Sequence, residues 1–320
     1  MVTQTTYRPP FLFRKSHLST IYPALFRKVR DVDYKRQRIF TPDDDFLDLD
    51  WSKVGSHRCV IVAHGLEGNA ELAYVKGVVR MANARKWDAV GLNYRGCSGE
   101  PNWRFRSYHS GATDDIGIMI NQIIAQGNYN EVFLVGFSLG GNLILKYAGE
   151  LGANTPAAVN GIVAISVPCD LEASADYLSR PSGYLYRNRF LKFLKEKART
   201  KIKFREAKFT LKDISKIRSF EDYDNLYTAP AHGFANARTY WRENSCKHFI
   251  PNIKVPTLIL NAINDPLLAP DSHPVKETDQ HSFVKLMLTK YGGHVGFYDA
   301  GNQLYWHEKQ ILQFLMKHIG

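Results

Sequence analysis

The chain has 320 residues, of which 44% are hydrophobic and 23% are charged, so it can bury a large core as one or two domains. This composition excludes disorder as the main state, and no apolar run approaches the roughly 20 residues that a membrane-spanning helix needs. The formal net charge is +11, and residues 187–218 alone contribute +10 through thirteen Lys and Arg against three Asp and Glu. The rest of the chain is almost neutral, which predicts a local basic surface.

The N-terminal residues and the cysteines bear on location and on metal binding. The first residues lack a charged segment that leads into an apolar one, so we expect no secretory signal and a cytoplasmic location. Cys59, Cys97, Cys169 and Cys246 lie far apart, with no spacing typical of a metal site or a disulfide framework. We therefore expect reduced, mostly buried thiols. Residues 1–30 have no clear assignment.

The predicted elements alternate between short strands and helices. Residues 38–51 alternate apolar and polar side chains around Pro42, which predicts a hairpin at a sheet edge. Strands follow at 59–63, 89–93, 132–136, 162–167, 257–260 and 283–288, with helices at about 70–86, 113–126, after Ser138 and at about 303–318. This alternation is typical of an α/β fold, with a mostly parallel sheet covered on both faces. Residues 170–252 carry no strong strand signal, so we expect a helical cap inserted into a core of residues 1–169 and 253–320.

A G-x-S-x-G motif occupies residues 136–140, between an apolar strand and a helix. In this context a tight turn lifts the serine oxygen above the sheet, and the flanking glycines avoid clashes with the neighbouring backbone. The motif predicts that Ser138 is a nucleophile.

A serine hydroxyl needs a base, and the base needs a carboxylate that fixes its tautomer. Asp265 follows the strand at 257–260, and His294 lies in a glycine-flanked loop after the strand at 283–288. The chain order Ser, Asp, His is the one expected for α/β-hydrolases. Asp170 and Asp299 are rival acids, of which Asp170 is the more serious because some hydrolases carry the acid one strand earlier.

The sequence HGLEG at residues 64–68 follows the strand at 59–63. Acyl transfer needs backbone N–H donors that point at the developing oxyanion, and a glycine-lined loop exposes them. We expect the N–H groups of Leu66 and Leu139 to form this oxyanion hole. His64 is expected to shape the loop rather than to act in catalysis.

These motifs resemble those of the α/β-hydrolases, and more closely of their YheT-like branch, which includes eukaryotic abhydrolase-domain lipases and yeast medium-chain ethyl ester synthases. The resemblance rests on HGLEG at 64–68, NYRGCSGEPN at 93–102, YHSGATDD at 108–115, GFSLGGN at 136–142 and GGHVGF at 292–297, and it extends to HLST at 17–20. It implies an α/β-hydrolase fold with Ser138 as nucleophile, Asp265 as acid and His294 as base. The insertion matches the family weakly, so the resemblance does not identify the substrate.

The triad predicts a serine hydrolase that cleaves small-molecule carboxylic esters, of short- or medium-chain acyl or acylglycerol type, through an acyl-enzyme and without a metal or organic cofactor. Two alternatives stay open. The same triad can transfer an acyl group to an alcohol, and a basic lipid- or RNA-binding protein can retain a hydrolase scaffold without catalysis. The complete triad argues against the second alternative.

The basic segment and its flank carry apolar residues at helical spacing, namely Tyr186, Phe190, Phe193, Leu194 and Ala198. This pattern predicts an amphipathic helix, with a solvated outer face and an apolar inner face over the active site. Peripheral contact with an anionic membrane surface, such as the inner membrane, is the alternative for residues 187–218, and no nucleic-acid partner is expected because no nucleic-acid motif is present. If the segment docks on lipid, Gln at all four positions should abolish docking: Lys195, Lys197, Lys201 and Lys203.

Overall fold

The structure is a computed structural model that describes residues 2–4, 7–127, 129–301 and 303–319. Its strands are β1 (Val2–Gln4), β2 (Lys35–Phe40), β3 (Phe46–Ser52), β4 (Arg58–Ala63), β5 (Asp88–Asn93), β6 (Glu131–Phe137), β7 (Val159–Ile165), β8 (Thr257–Ala262) and β9 (Val284–Thr289). In the described residues they form one nine-stranded sheet in the order β1-β9-β8-β7-β6-β4-β5-β3-β2. All neighbours are parallel except β2 with β3 and β3 with β5. The predicted, mostly parallel sheet with a hairpin at its edge is confirmed.

Helices join most of these strands. The α-helices of the described residues are α1 (Ser16–Phe26), α2 (Ala73–Ala84), α3 (Thr113–Gly127), α4 (Leu139–Leu151), α5 (Leu171–Ser179), α6 (Tyr184–Lys201), α7 (Leu211–Lys216), α8 (Phe220–Tyr223), α9 (Ala229–Ala231), α10 (Ala237–Asn244), α11 (Val275–Thr278) and α12 (Trp306–Leu315). A π-helical segment spans Asp224–Thr228, and 3₁₀ segments span Phe11–Arg14, Gly152–Asn154, Pro181–Gly183, Cys246–His248, Ile250–Asn252 and Pro270–Ser272. No helix in the described ranges is both long and apolar enough to cross a bilayer.

Both faces of the sheet are buried, as the runs of apolar strand residues predict. Along β4, Cys59, Ile61 and Ala63 pack in one cluster with residues of α3 and α4. The intervening Val60 and Val62 pack in a second cluster with residues of α2 and α12. This alternation follows from the two-residue period of a strand. The four cysteines are free and buried, as expected.

The segment between β7 and β8 is helical, as predicted, and comprises α5 to α10 with their connections. It has a hydrophobic cluster of its own, in which Leu178, Leu194, Phe220 and Trp241 are buried. Side chains from outside the segment join this cluster, among them Leu267. The division into a core of residues 1–169 and 253–320 and a cap of residues 170–252 stays a prediction, and we use the word cap for that segment.

The amphipathic helix predicted around the basic segment is α6, but its two faces differ from the expected ones. Tyr186, Leu194 and Ala198 are buried as predicted, whereas Phe193 is 39% exposed, so its assignment to the apolar face is wrong. Lys197 and Lys201 instead share the inner face, because they follow Leu194 and Ala198 by three residues each. The side chain of Lys197 is 9% exposed and Lys201 is 1% exposed.

Lys201 is therefore anchored to the core rather than exposed to solvent. Its Nζ atom donates to Oδ1 of Asn102 over 2.7 Å and to the carbonyl oxygen of Arg104 over 2.6 Å. Burial lowers the pKa of Lys201 to about 7. The expectation that Lys195, Lys197, Lys201 and Lys203 form one exposed docking face is wrong for Lys197 and Lys201.

Candidate active site

Ser138 lies in the turn between β6 and α4, where the motif predicts a nucleophile. Its φ of 52° and ψ of −120° fall outside the regions that residues with a side chain prefer. Its N–H donates to the carbonyl oxygen of Ile165 at the end of β7 over 2.8 Å. A Cβ atom at Gly140 would lie 2.5 Å from the carbonyl oxygens of both Ala63 and His64, so only glycine fits where α4 passes the end of β4.

His294 and Asp265 lie side by side at the carboxyl ends of β9 and β8. The Nδ1 atom of His294 and the Oδ2 atom of Asp265 are 2.8 Å apart, and the two side chains are 11% and 1% exposed. The other carboxylate oxygen of Asp265 accepts a hydrogen bond from the N–H of Leu267 over 2.8 Å. When Nδ1–H of a neutral His294 donates to the carboxylate, Nε2 is the ring nitrogen that can accept a proton.

The loop that carries His294 is held by α1, a helix in the part of the sequence that had no assignment. The hydroxyl of Thr20 accepts the N–H of His294 over 2.9 Å and donates to the carbonyl oxygen of Ser16 over 2.7 Å. A Cβ atom at Gly293 would lie 2.4 Å from Oγ of Ser19, so α1 packs directly on this loop. The only sequence signal for this contact was the HLST segment at 17–20, and these residue types do not by themselves predict a catalytic or structural role.

The loop after β4 lies next to Ser138. A Cβ atom at Gly65 would lie 3.3 Å from the Cβ atom of Ser138. Leu66 and Leu139 both line the cavity that Ser138 lines. Because Leu139 is the first residue of α4, its N–H has no carbonyl partner within that helix. The assignment of the two N–H groups to an oxyanion hole stays a prediction.

Ser138 and His294 line one cavity between the sheet and the cap. Its empty space, including the part that opens to solvent, is about 910 Å³. The cap supplies most of the apolar wall, through Leu171, Ala175, Leu178, Phe190, Leu194, Phe220 and Trp241. Another part of the wall is polar and contains Ser107, His109, Ser110, Asp224 and Thr228. Such a cavity can hold an apolar chain and orient a polar group beside it.

Two further histidines near the site have other surroundings. His109 lines the cavity, but its Nδ1 atom accepts the N–H of Gly111 over 3.2 Å, and burial holds its pKa well below the ordinary value. It is therefore a neutral ring whose Nε2 carries the proton. His64 is fully buried against the ring of Tyr94, with centroids 4.1 Å apart, and burial lowers its pKa to about 3. Its Nδ1 atom lies 2.7 Å from the carbonyl oxygen of Gly65, which suits a role in shaping the loop.

The rival acids bind other partners. One carboxylate oxygen of Asp170 accepts the N–H of Ala173 over 3.0 Å and caps α5, while the other pairs with Lys247. Asp299 pairs with Lys309 over 2.5 Å.

The sheet order, the turn at Ser138 and the cavity under a helical cap are features of one class of protein. The profile of the family described as alpha/beta hydrolase fold matches residues 58–300, which is more than half of the chain. The chain therefore belongs to this family, and it is an α/β-hydrolase of the esterase and lipase type.

The relatives agree with the predicted branch. YheT of Escherichia coli (strain K12), which is named as an esterase, is 34% identical, and the match covers 96% of this chain and 92% of that one. A monoacylglycerol lipase of Saccharomyces cerevisiae is 29% identical over 88% of this chain and 63% of its own length. The solved structure of the Pyrococcus furiosus esterase Pf2001 superposes with a TM-score of 0.60 over 90% of this chain and 94% of that one. Its sequence is 14% identical, so this likeness concerns the fold.

Proposed function

We propose that the protein hydrolyses carboxylic esters through an acyl-enzyme on Ser138, with His294 as the base and Asp265 as the residue that orients it. The main support for the proposal is the 2.8 Å contact between Nδ1 of His294 and Oδ2 of Asp265. This pair lies beside a cavity that Ser138 and His294 both line. A serine hydroxyl and a histidine held by a carboxylate are the groups that acyl transfer needs. The proposed chemistry uses no metal or organic cofactor.

Each step of the proposed reaction moves one proton. Oγ of Ser138 bonds to the ester carbonyl carbon while its proton passes to Nε2 of His294. The carbonyl oxygen becomes an oxyanion, which the N–H groups of Leu66 and Leu139 stabilise. The bond to the alkoxy oxygen then breaks, and His294 gives its proton to the leaving alcohol. A water molecule repeats these steps on the acyl-enzyme and releases the acid.

The substrate class that we propose is an ester of a short- or medium-chain acyl group, acylglycerols included. The apolar wall supplied by the cap suits an acyl chain, because each buried CH₂ contributes about 0.8 kcal/mol. The polar part of the wall, with Ser110 and Asp224, suits the hydroxyl groups of a glycerol. The monoacylglycerol lipase among the relatives supports this choice.

A series of aryl esters with increasing acyl length tests the reaction and the substrate class. We expect hydrolysis that is fastest for short or medium chains and that is lost in Ser138→Ala. The same series with an added alcohol separates hydrolysis from acyl transfer, since a transferase forms the new ester in preference to the acid. Equal activity in wild type and Ser138→Ala, or no turnover of any ester, would contradict the proposal.

We further propose that the outer face of α6 contacts an anionic membrane surface. Lys192, Lys195 and Arg199 line a surface groove together with Arg218. The pKa of Lys195 is lowered by its partial burial and by the charges of Arg218 and Arg199, and Asp222 offsets this only in part. An anionic lipid headgroup that lies between these cations would reduce their mutual repulsion and so stabilise the bound state.

Vesicle binding tests this contact. We expect cosedimentation with vesicles of anionic lipid at low salt but not with neutral vesicles, and a loss of binding as salt shortens the Debye length from about 10 Å at 0.1 M to about 3 Å at 1 M. Gln at all four groove positions, Lys192, Lys195, Arg199 and Arg218, should abolish binding. A control variant with Gln at four exposed lysines outside the cap should still bind: Lys35, Lys254, Lys276 and Lys285. Equal effects of the two variants would contradict the contact.

A further inference from the structure

The loop that contains Leu66 has a turn at residues 65–68 with a backbone conformation that a glutamate at its third position does not favour. The N–H of Gly68 donates to the carbonyl oxygen of Gly65 over 3.1 Å, which places Leu66 and Glu67 at the two central positions of a turn. Glu67 has a φ of 52°, and turns with a positive φ at this position usually have glycine or asparagine there. A glutamate in this conformation needs support from its surroundings.

Tyr108 and the cap residue Lys197 give this support. The hydroxyl of Tyr108 accepts the N–H of Glu67 over 2.8 Å and donates to its Oε1 atom over 2.6 Å. Nζ of Lys197 lies 2.8 Å from the same Oε1 atom and 4.2 Å from the centre of the Tyr108 ring. The side chains of Lys197 and Glu67 are 9% and 10% exposed, so loss of one charge leaves the other buried without its partner.

Lys197 is charged at neutral pH, and Glu67 is the group that balances it. Burial lowers the pKa of Lys197, Cys97 and Glu67 raise it, and the net shift is upward. The Sγ atom of Cys97 lies 3.4 Å from Nζ, but burial raises the pKa of this thiol to about 12, so it is neutral at pH 7. The negative charge beside Lys197 therefore comes from the Glu67 carboxylate.

Leu66, which precedes Glu67, joins the two parts of the molecule. Its side chain packs against the cluster on the sheet and against the cluster of the cap. Its N–H belongs to the turn at residues 65–68, and the contacts with Tyr108 and Lys197 are made by the next residue, Glu67.

We propose that Lys197 is a positioning residue that couples the cap to the oxyanion hole. Its ion pair with Glu67 holds the turn, and the turn presents the N–H of Leu66 to the carbonyl oxygen of the substrate. The hole is then complete only while α6 is packed on the core. This inference rests on the proposed ester hydrolysis at Ser138.

Lys197→Met removes the charge and keeps most of the apolar stem. We expect kcat for a small soluble aryl ester to fall roughly 10- to 100-fold while KM changes less than about threefold, because a displaced oxyanion donor acts mainly in the transition state. Lys197→Arg should recover part of the loss. Glu67→Gln should resemble Lys197→Met, and the double variant should be no worse than either, since the pair acts as one unit.

The matched control is Lys208→Met, which removes an exposed lysine of the cap that lines neither the cavity nor the groove. Its kcat and thermal unfolding should equal those of the wild type. A second readout is amide hydrogen exchange of a peptide that covers residues 64–68, which should be faster in Lys197→Met than in the wild type or in Lys208→Met.

An unchanged kcat in Lys197→Met, or unchanged exchange at residues 64–68, would overturn the inference. If the wild type hydrolyses no ester, the proposed function fails, and hydrogen exchange still decides whether Lys197 holds the turn.

Discussion

Two carboxylates follow neighbouring strands at the cavity end of the sheet, and they have different partners. Asp265, after β8, has one oxygen 2.8 Å from Nδ1 of His294 and the other on the N–H of Leu267. Asp170, after β7, caps α5 and pairs with Lys247. The sequence left both as candidates, since each lies just beyond a strand, and the contact with His294 favours Asp265.

Asp265→Asn is expected to lower kcat by about 10⁴-fold, because an amide next to Nδ1 favours the wrong histidine tautomer. The fold should survive, since the amide oxygen can still accept the N–H of Leu267, and thermal unfolding checks this. Asp170→Asn is the matched control, and its kcat should stay within about threefold of the wild type. The opposite result for the two variants would assign the acid to Asp170.

Within the cap, the π-helical segment Asp224–Thr228 places a carboxyl group in the wall of the cavity. The carboxylate of Asp224 accepts the indole N–H of Trp241 in α10 over 2.7 Å. Burial raises the pKa of Asp224 from 3.8 to about 6, although Thr228 and Trp241 lower it by hydrogen bonding. The cap therefore contains a carboxyl group that is costly to ionise.

This shift predicts a pH dependence of stability. Between pH 3.8 and about 6 the unfolded chain ionises Asp224 before the folded protein does, so the free energy of unfolding falls as pH rises through this window. Asp224→Asn removes the effect. We expect the variant to gain on the order of 2 kcal/mol relative to the wild type between pH 4 and pH 7, measured by urea unfolding. Asp271→Asn, at an exposed position, should give no such gain. Parallel pH profiles for wild type and Asp224→Asn would contradict the effect.

The helix α6 shows where the sequence was informative and where it was not. Charge counting located the basic segment, and helical spacing located the buried face with Leu194 and Ala198. A charge count does not show which way an individual lysine side chain points, so Lys197 and Lys201 were assigned to solvent. Their three-residue spacing from Leu194 and Ala198 was a usable signal. A buried lysine also needs partners, however, and Glu67 and Asn102 lie 130 and 99 residues away in the chain from Lys197 and Lys201.

The candidate site forms where the carboxyl ends of four parallel strands meet. The residues after β4, β6, β8 and β9 supply the loop of Leu66, the turn of Ser138, Asp265 and His294. This convergence could be predicted, because the strand-turn-helix motif and the positions of Asp265 and His294 just after strands can each be recognised in a short stretch of sequence. The support of His294 by Thr20 could not, since it joins residues 274 positions apart through a single hydroxyl.

The most direct test of Ser138 as the nucleophile is the site of covalent labelling by a fluorophosphonate, read by peptide mass spectrometry. We expect the label on Ser138 alone, because this residue lies in the turn after β6 and lines the same cavity as Leu66 and Leu139, the two proposed N–H donors. We expect Ser138→Ala to take up no label and to lose activity by on the order of 10⁵-fold. Labelling at another residue, such as Cys97 or Ser98 in the loop after β5, or a Ser138→Ala protein that hydrolyses esters like the wild type, would show that Ser138 is not the nucleophile.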